Sequence, residues 1–269
     1  MIMKAPSRFA SAWVSVLLIA GAASSARAQS ILFIGNSFTR SIPTPITAIT
    51  KAKGKPFDFD VVAKSHTNWG YHIGKGAPET EKALTEKKWD FVVLQDLSDE
   101  PTHTGNVKAF MADGEAFYKK IRKLAPTAKV VLYETWAMGA ESNTYTKDST
   151  PTTFANPTEM SDELVKNYEA LAAKLESLEP GDQVLLAPVG AAFARCSQLY
   201  PKIDLHGADH KHFSDTGRYL AALVIYATIY NDTPVGPGKT PGIKEDSETM
   251  ANLQKVAKEV IDARNAAKK

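Results

Sequence analysis

The chain has 269 residues, with 32 Lys and Arg against 30 Asp and Glu, a single cysteine and a formal net charge of +2. That near-balance argues against nucleic acid or an anionic membrane as a partner. Cys196 has no second cysteine to pair with, which excludes an intramolecular disulfide.

Residues 1–28 read as a secretory signal peptide. Lys4 and Arg8 open it, Ala12 to Ala23 is an uncharged apolar run, and Ala26-Arg27-Ala28 is a small-x-small cleavage site. The run is too short to span a bilayer. An uncleaved amino-terminal anchor is the alternative. Cleavage after Ala28 predicts an exported protein, periplasmic or secreted, consisting of one domain over residues 29–269. Three of the 32 basic residues and none of the acidic ones lie in the leader, so the mature charge is near −1. No other window approaches a spanning length.

The first predicted strand is Ile31-Leu32-Phe33-Ile34, which runs into Gly35-Asn36-Ser37. A short unbroken apolar run bounded by Gly reads as a buried strand of a parallel sheet. Such strands meet ligands at their carboxyl ends. Ser37 is therefore expected at the lip of the sheet, where a helix begins and its amides can face a developing negative charge. A plainer role for Asn36 and Ser37 is turn and cap.

Pro43 and Pro45 predict the first turn of a helix reaching about Lys53, ended by Gly54. Phe57 to Ala63 is the second strand. Ser65 to Gly76 reads as a loop, and Pro78 to Lys87 as a short helix. The third strand is Asp90 to Gln95, followed by a polar loop, 96–104. Val107 to Leu124 has helical spacing and stops before Pro126. Lys129 to Tyr133 is the fourth strand, and 137–157 a long surface loop of the kind that carries function.

Ser161 to Leu178 predicts a helix. Pro180-Gly181-Asp182 turns into a fifth strand, Gln183 to Ala187, and a short helix covers Ala191 to Leu199. A polar, His-rich segment, Leu205 to Phe213, leads into an apolar helix from Thr216 to Tyr230. A Pro/Gly-rich connector, Thr233 to Gly242, precedes an amphipathic helix from Ser247 to Ala266. Strands alternating with helices predict a three-layer α/β/α sandwich around a five-stranded parallel sheet.

Three of the six histidines lie in His206-Gly207-Ala208-Asp209-His210-Lys211-His212. One reading is a base with its acid. A second is a metal site using His206, Asp209, His210 and His212. A third is a solvated loop. Asp209 and His212 stand three apart, so one helical or 3₁₀ turn puts both side chains on one side. A carboxylate there fixes the imidazole tautomer and leaves the other ring nitrogen free to take a proton from a serine. The metal reading lacks an identifiable further ligand. Cys196 reads as a buried small residue.

These stretches resemble the SGNH hydrolases, the GDSL-like esterase superfamily, and in particular a subfamily known mainly as a domain of unknown function. Gly35-Asn36-Ser37 is similar to the first block of that superfamily, and Asp209-x-x-His212 followed by a helix to its last. Ile31 to Thr39, Trp89 to Gln95, Leu132 to Ala137 and Asp209 to Ala222 follow the subfamily in order. The resemblance implies an SGNH/flavodoxin-like fold and a serine esterase with Ser37 as nucleophile, His212 as base and Asp209 as orienting acid. It also implies oxyanion donors from the Ser37 amide, the 65–70 loop with Gly70 as the candidate, and the Gln95 side chain in place of the usual Asn.

Trp69 and Trp136 are candidates to stack on a sugar ring or wall an acyl pocket, with simple packing as the alternative. His72 is a candidate for the entrance. The expected substrate is a small-molecule or carbohydrate ester, an O-acetyl carbohydrate being the class suggested by resemblance and export. No metal or organic cofactor is required. The rivals are a metal-dependent hydrolase and a non-catalytic carbohydrate-binding protein on the same fold.

Overall fold

The structure is a computed structural model and describes residues 28–55, 57–179, 184–233 and 246–267. The predicted leader (apart from Ala28), the Pro180–Asp182 turn and nearly all of the Pro/Gly-rich connector lie outside the described residues.

Five parallel strands form the sheet: β1 (Gln29–Gly35), β2 (Phe57–Ala63), β3 (Phe91–Leu94), β4 (Lys129–Tyr133) and β5 (Leu185–Ala187). They lie in the order β2-β1-β3-β4-β5. In β1 the residues alternate between two cores. Ile31 and Phe33 face one, and Leu32 and Ile34 the other, all wholly buried. Burial on both faces is why this strand reads as a continuous apolar run.

The Ile31/Phe33 face is covered by α2 (Pro43–Ala52), α7 (Val189–Leu199), α8 (Asp215–Tyr230) and α9 (Ser247–Ala267). The other face carries α4 (Ala77–Glu86), α5 (Val107–Leu124) and α6 (Pro157–Leu178). Helix α8 is buried nearly all round, because the sheet lies beneath it and α2, α7 and α9 pack around it. This is the expected three-layer sandwich.

Two short helices sit at the carboxyl end of the sheet: α1 (Ser37–Arg40) and α3 (Trp69–Ile73). The second falls where the sequence predicts only a loop; a single turn capped by the Asn68 side chain is too short to leave a periodic signal. Helix α6 begins four residues before the expected Ser161. The Asn156 side chain accepts from the Glu159 amide at 3.0 Å, Pro157 occupies the first turn, and Glu159 reaches back to the Ala155 amide at 2.6 Å.

The strand order reverses at β1. The chain leaves β1 for β2 on one side, then crosses to β3 on the other. Ligand sites of open α/β sheets form at such a switch point, beyond the strand ends. Ile34 and Leu94 are register partners, so Gly35-Asn36-Ser37 and Gln95-Asp96 leave the sheet side by side.

Candidate active site

The corner after β1 is built by hydrogen bonds. Asn36, 2% exposed, caps α1 through Oδ1, which accepts the Phe38 amide at 3.1 Å. Its Nδ2 donates to the Thr67 carbonyl at 3.1 Å. One side chain thus holds the serine turn and the β2–α3 loop together, and it needs both an acceptor and a donor to do so. Gly35 is required by crowding, because a Cβ there would collide with Thr39 Oγ1 and Gln95 Oε1.

Ser37 is half-buried at the head of α1. Its hydroxyl donates to His212 Nε2 at 2.9 Å. On the far side of the ring, His212 Nδ1 donates to Asp209 Oδ2 at 2.6 Å. With the Nδ1 proton aimed at the carboxylate, Nε2 is left as the acceptor for the serine. The structure thus brings together Ser37, His212 and Asp209, 175 and three positions apart.

The loop bearing His212 is tightly tied. Asp209 Oδ1 accepts the amides of Lys211 and His212 at 3.0 and 2.9 Å. His210, between Asp209 and Lys211, takes a left-handed φ of 56°. Gly207 N donates to the His212 carbonyl at 2.7 Å, and His206 and Phe213 form an antiparallel bridge. Burial works to raise the Asp209 pKa, but the His212 ring and the two amides outweigh it and hold the carboxyl at about 2. It is therefore ionised at neutral pH.

An aromatic stack supports the His212 ring. Phe38 meets His212 edge-on at 5.0 Å and stacks on Trp136 at 4.5 Å, and Trp136 stacks on Phe193 at 4.7 Å. Trp136 Nε1 donates to the Lys211 carbonyl at 3.0 Å. Trp136 has no exposed surface and cannot meet a sugar ring; its role is packing beneath the His212 loop. Trp69 is likewise fully buried and stacks on Phe110. For both, packing replaces the expected ligand contact. Their position after a strand and at a helix start points to the site, but large apolar rings there gain more from burial.

Gln95 also differs from expectation. It is wholly buried, and its Oε1 accepts the Asn36 amide at 3.0 Å and the Thr39 hydroxyl at 2.8 Å. Its Nε2 donates to the Asp96 carbonyl. The side chain is spent inside the protein and braces the serine corner, so it does not face an oxyanion.

Gly70 lies inside α3, where a Cβ would sit 2.8 Å from Asp113 Oδ2. The amides of Trp69 and Tyr71 go to Asp96 Oδ1 and Asn68 Oδ1. Among the described residues the Ser37 amide has no acceptor, nor do those of His66, Thr67, Asn68 and Gly70. His66 holds a left-handed φ of 58° in this turn, a strained state for a non-glycine residue.

His72 is not at an entrance. It is 1% exposed, and its Nε2 donates to the Gly35 carbonyl at 2.9 Å. Burial lowers its pKa against the raising effect of that bond and of Glu79. A neutral ring thus anchors the peptide just before the serine corner, a role that sequence spacing gives no sign of. Asp96 is also buried, accepts from the Trp69 and Leu97 amides at 2.8 Å each, and is pushed up to about 8 by burial.

The remaining histidines of the cluster point elsewhere. His206 Nε2 donates to the Ala137 carbonyl at 3.0 Å, and His210 lies 3.7 Å from Glu141. Of the four residues of the metal reading, His206 and His210 thus have partners of their own and Asp209 and His212 pair with each other, and no group of three His, Cys, Asp or Glu among the described residues is placed to share an ion. A cavity behind the same loop, lined by Met138, Phe193, Leu205, His206 and His210 among others, includes neither Ser37 nor His212 in its wall.

A parallel sheet with a serine at the end of its first strand and an Asp-x-x-His loop ahead of a late helix is the layout of the SGNH, or GDSL-like, hydrolases, and the chain has that fold. Within it, the chain is similar to a protein from Slackia heliotrinireducens assigned to the SGNH hydrolases, at 27% identity over 76% of this chain and 100% of that one, with a TM-score of 0.59. It is also similar to a DUF4886 family protein from Bacteroides uniformis, at 17% identity, 87% and 95% coverage and a TM-score of 0.72. An acetyl xylan esterase, AlAXEase, shares the fold at 16% identity, 74% and 98% coverage and a TM-score of 0.55. No family model matches the sequence, and no curated protein matches it.

Proposed function

We propose that this protein is an exported serine esterase that removes small O-acyl groups, with O-acetylated carbohydrate as its substrate class. The observation that carries the reading is the unbroken relay from Ser37 Oγ to His212 Nε2 at 2.9 Å and from His212 Nδ1 to Asp209 Oδ2 at 2.6 Å. Those lengths are within the reach expected of an activated nucleophile and an oriented base. The leader-like residues 1–28 support export. The carbohydrate class is supported by export and by an acetyl xylan esterase among proteins of the same fold.

The chemistry follows from the groups present. His212 Nε2 takes the Ser37 proton as the hydroxyl oxygen attacks the ester carbonyl. The negative charge that develops on the carbonyl oxygen is met by the Ser37 amide and by a free amide of the 65–70 segment. The imidazolium, stabilised by ionised Asp209, then gives its proton to the departing alcohol. Water enters, loses a proton to His212 and releases the acid from Ser37. Losing one oxyanion donor of this kind costs about 10²–10³ in turnover.

The test is hydrolysis of 4-nitrophenyl acetate by the wild type and by Ser37→Ala, with circular dichroism to verify the fold and a chelator in parallel. The expected result is activity that resists chelation and is lost in the folded variant. Activity that survives Ser37→Ala, or falls with the chelator, overturns the reading.

A further inference from the structure

The geometry points to a site built for esters that carry a negative charge, with Arg40 as the residue that receives it. This inference rests on the serine esterase reading and goes beyond it by naming a substrate class.

Arg40 follows Ser37 by three residues in α1. Residues three apart on a helix share a face, with Cβ atoms about 5–6 Å apart. The Arg40 side chain is pinned on one side only. Its Nη2 donates to the Ala63 carbonyl at 3.1 Å and to Ser65 Oγ at 3.4 Å. A guanidinium has five N–H donors in a rigid fork, so this anchoring fixes the plane and leaves the Nε and Nη1 donors unspent.

No carboxylate among the described residues lies within ion-pair reach of Arg40. Arg195, Arg218 and Arg264, by contrast, have Glu259, Asp215 and Glu169 at 2.7, 2.6 and 3.5 Å. Arg40 is exposed, as are Lys64 and His66 on either side of the Ser65 it touches. The far end of the 65–70 segment is acidic: Asn68 Nδ2 donates to Glu100 Oε1, and Gly70 abuts Asp113. A substrate anion is repelled there and drawn towards α1. A guanidinium fixed in this way, with no carboxylate partner among the described residues and one helical turn from the nucleophile, is suited to receive a carboxylate through charge-assisted hydrogen bonds from its remaining donors.

The charge can sit on the alcohol, as in an O-acetylated uronic acid, or on the acyl group, as in a hemisuccinate. Two matched pairs separate these sources. The first is O-acetylated methyl galacturonoside against O-acetylated methyl galactoside. The second is 4-nitrophenyl hemisuccinate against 4-nitrophenyl butyrate. The readout is the ratio of kcat/KM, charged over neutral, within each pair and each protein.

The expected result is a wild-type ratio of about five or more in one pair, falling as salt is raised. Arg40→Gln brings that ratio to near one, Arg40→Glu takes it below one, and Arg40→Lys leaves it in between. A purely structural clamp would change both members of a pair alike and leave the ratio unmoved. The salt dependence of the wild type tests the idea even if a variant does not fold. Activity on the neutral esters with wild-type ratios near one in both pairs overturns the charge preference and leaves the esterase reading standing. No hydrolysis of any of the four esters sinks the esterase reading, and the preference with it.

Discussion

Trp136 Nε1 donates to the Lys211 carbonyl, 3.0 Å away, and ties a fully buried ring at the end of β4 to the residue just before His212. The same ring lies between Phe38 and Phe193. The orientation of the imidazole is therefore set from the core, since Phe38 also touches His212 edge-on.

Trp136→Phe keeps most of the stack and removes the hydrogen bond. It is expected to cost roughly 1–2 kcal/mol of stability, because the Lys211 carbonyl loses its donor. Ester turnover is expected to fall about tenfold or more as the base is held less firmly. Denaturant unfolding and kcat on 4-nitrophenyl acetate measure the two effects. Unchanged turnover would mean that the loop is held without Trp136.

Gln95→Leu separates a bracing role from a catalytic one. The Asn36 amide and the Thr39 hydroxyl would each lose a buried acceptor, at about 1–3 kcal/mol apiece. The midpoint of denaturation should therefore fall clearly. An oxyanion donor would behave otherwise, with turnover lost at unchanged stability. That second pattern would restore the role assigned from sequence.

Asp209→Asn keeps the size of the side chain but removes the charge that stabilises His212 as an imidazolium. The expected loss of turnover is on the order of 10²–10⁴. The acid limb of the stability profile should change as well. The folded carboxyl is held at about 2, below the value of about 3.9 expected of an unfolded aspartate. Its contribution is thus present above about pH 4 and lost as pH falls towards 2. Thermal melts between pH 5 and 2.5 should show a shallower decline in the variant. Parallel declines would refute the assignment.

Asp96 gives a dependence of opposite sign. Burial pushes its pKa up to about 8, so the folded protein keeps the proton while the unfolded chain releases it near pH 4. The unfolded state is then increasingly favoured as pH rises from about 4 to 8. In Asp96→Asn the Oδ1 atom still accepts the Trp69 and Leu97 amides. The variant should match the wild type only below about pH 4 and exceed it by a margin that grows by about 1 kcal/mol per pH unit up to pH 8. Equal stabilities at pH 8 would show that the carboxyl is not held protonated.

The legible parts of the site were those whose signal is local. Gly35-Asn36-Ser37 follows an apolar run directly, and Asp209 and His212 lie within one turn of each other, so both halves could be read from neighbours in the chain. Gln95 and Trp136 fall just beyond strand ends, as read, whereas Trp69 opens a helix where the sequence predicts a loop, and the partners of all three are not those expected. A strand-end glutamine carries no mark of whether its amide meets solvent or a buried amide from another strand. His72 is buried rather than at the entrance, and the sequence gives no sign of this because its acceptor is the carbonyl of Gly35, 37 residues earlier.

The sequence alone determined the alternation of strands and helices, the two-sided burial of β1 and the residue types able to activate a serine. These depend on hydrophobic periodicity and on chemistry inherent to each side chain. Only the folded chain decided that His212 reaches Ser37 and that Gln95 turns inward. It also decided that both tryptophans are core and that Arg40 is left without an acidic partner. Those outcomes depend on strand order, which brings residues distant along the chain to one edge of the sheet and sets which polar groups find partners there.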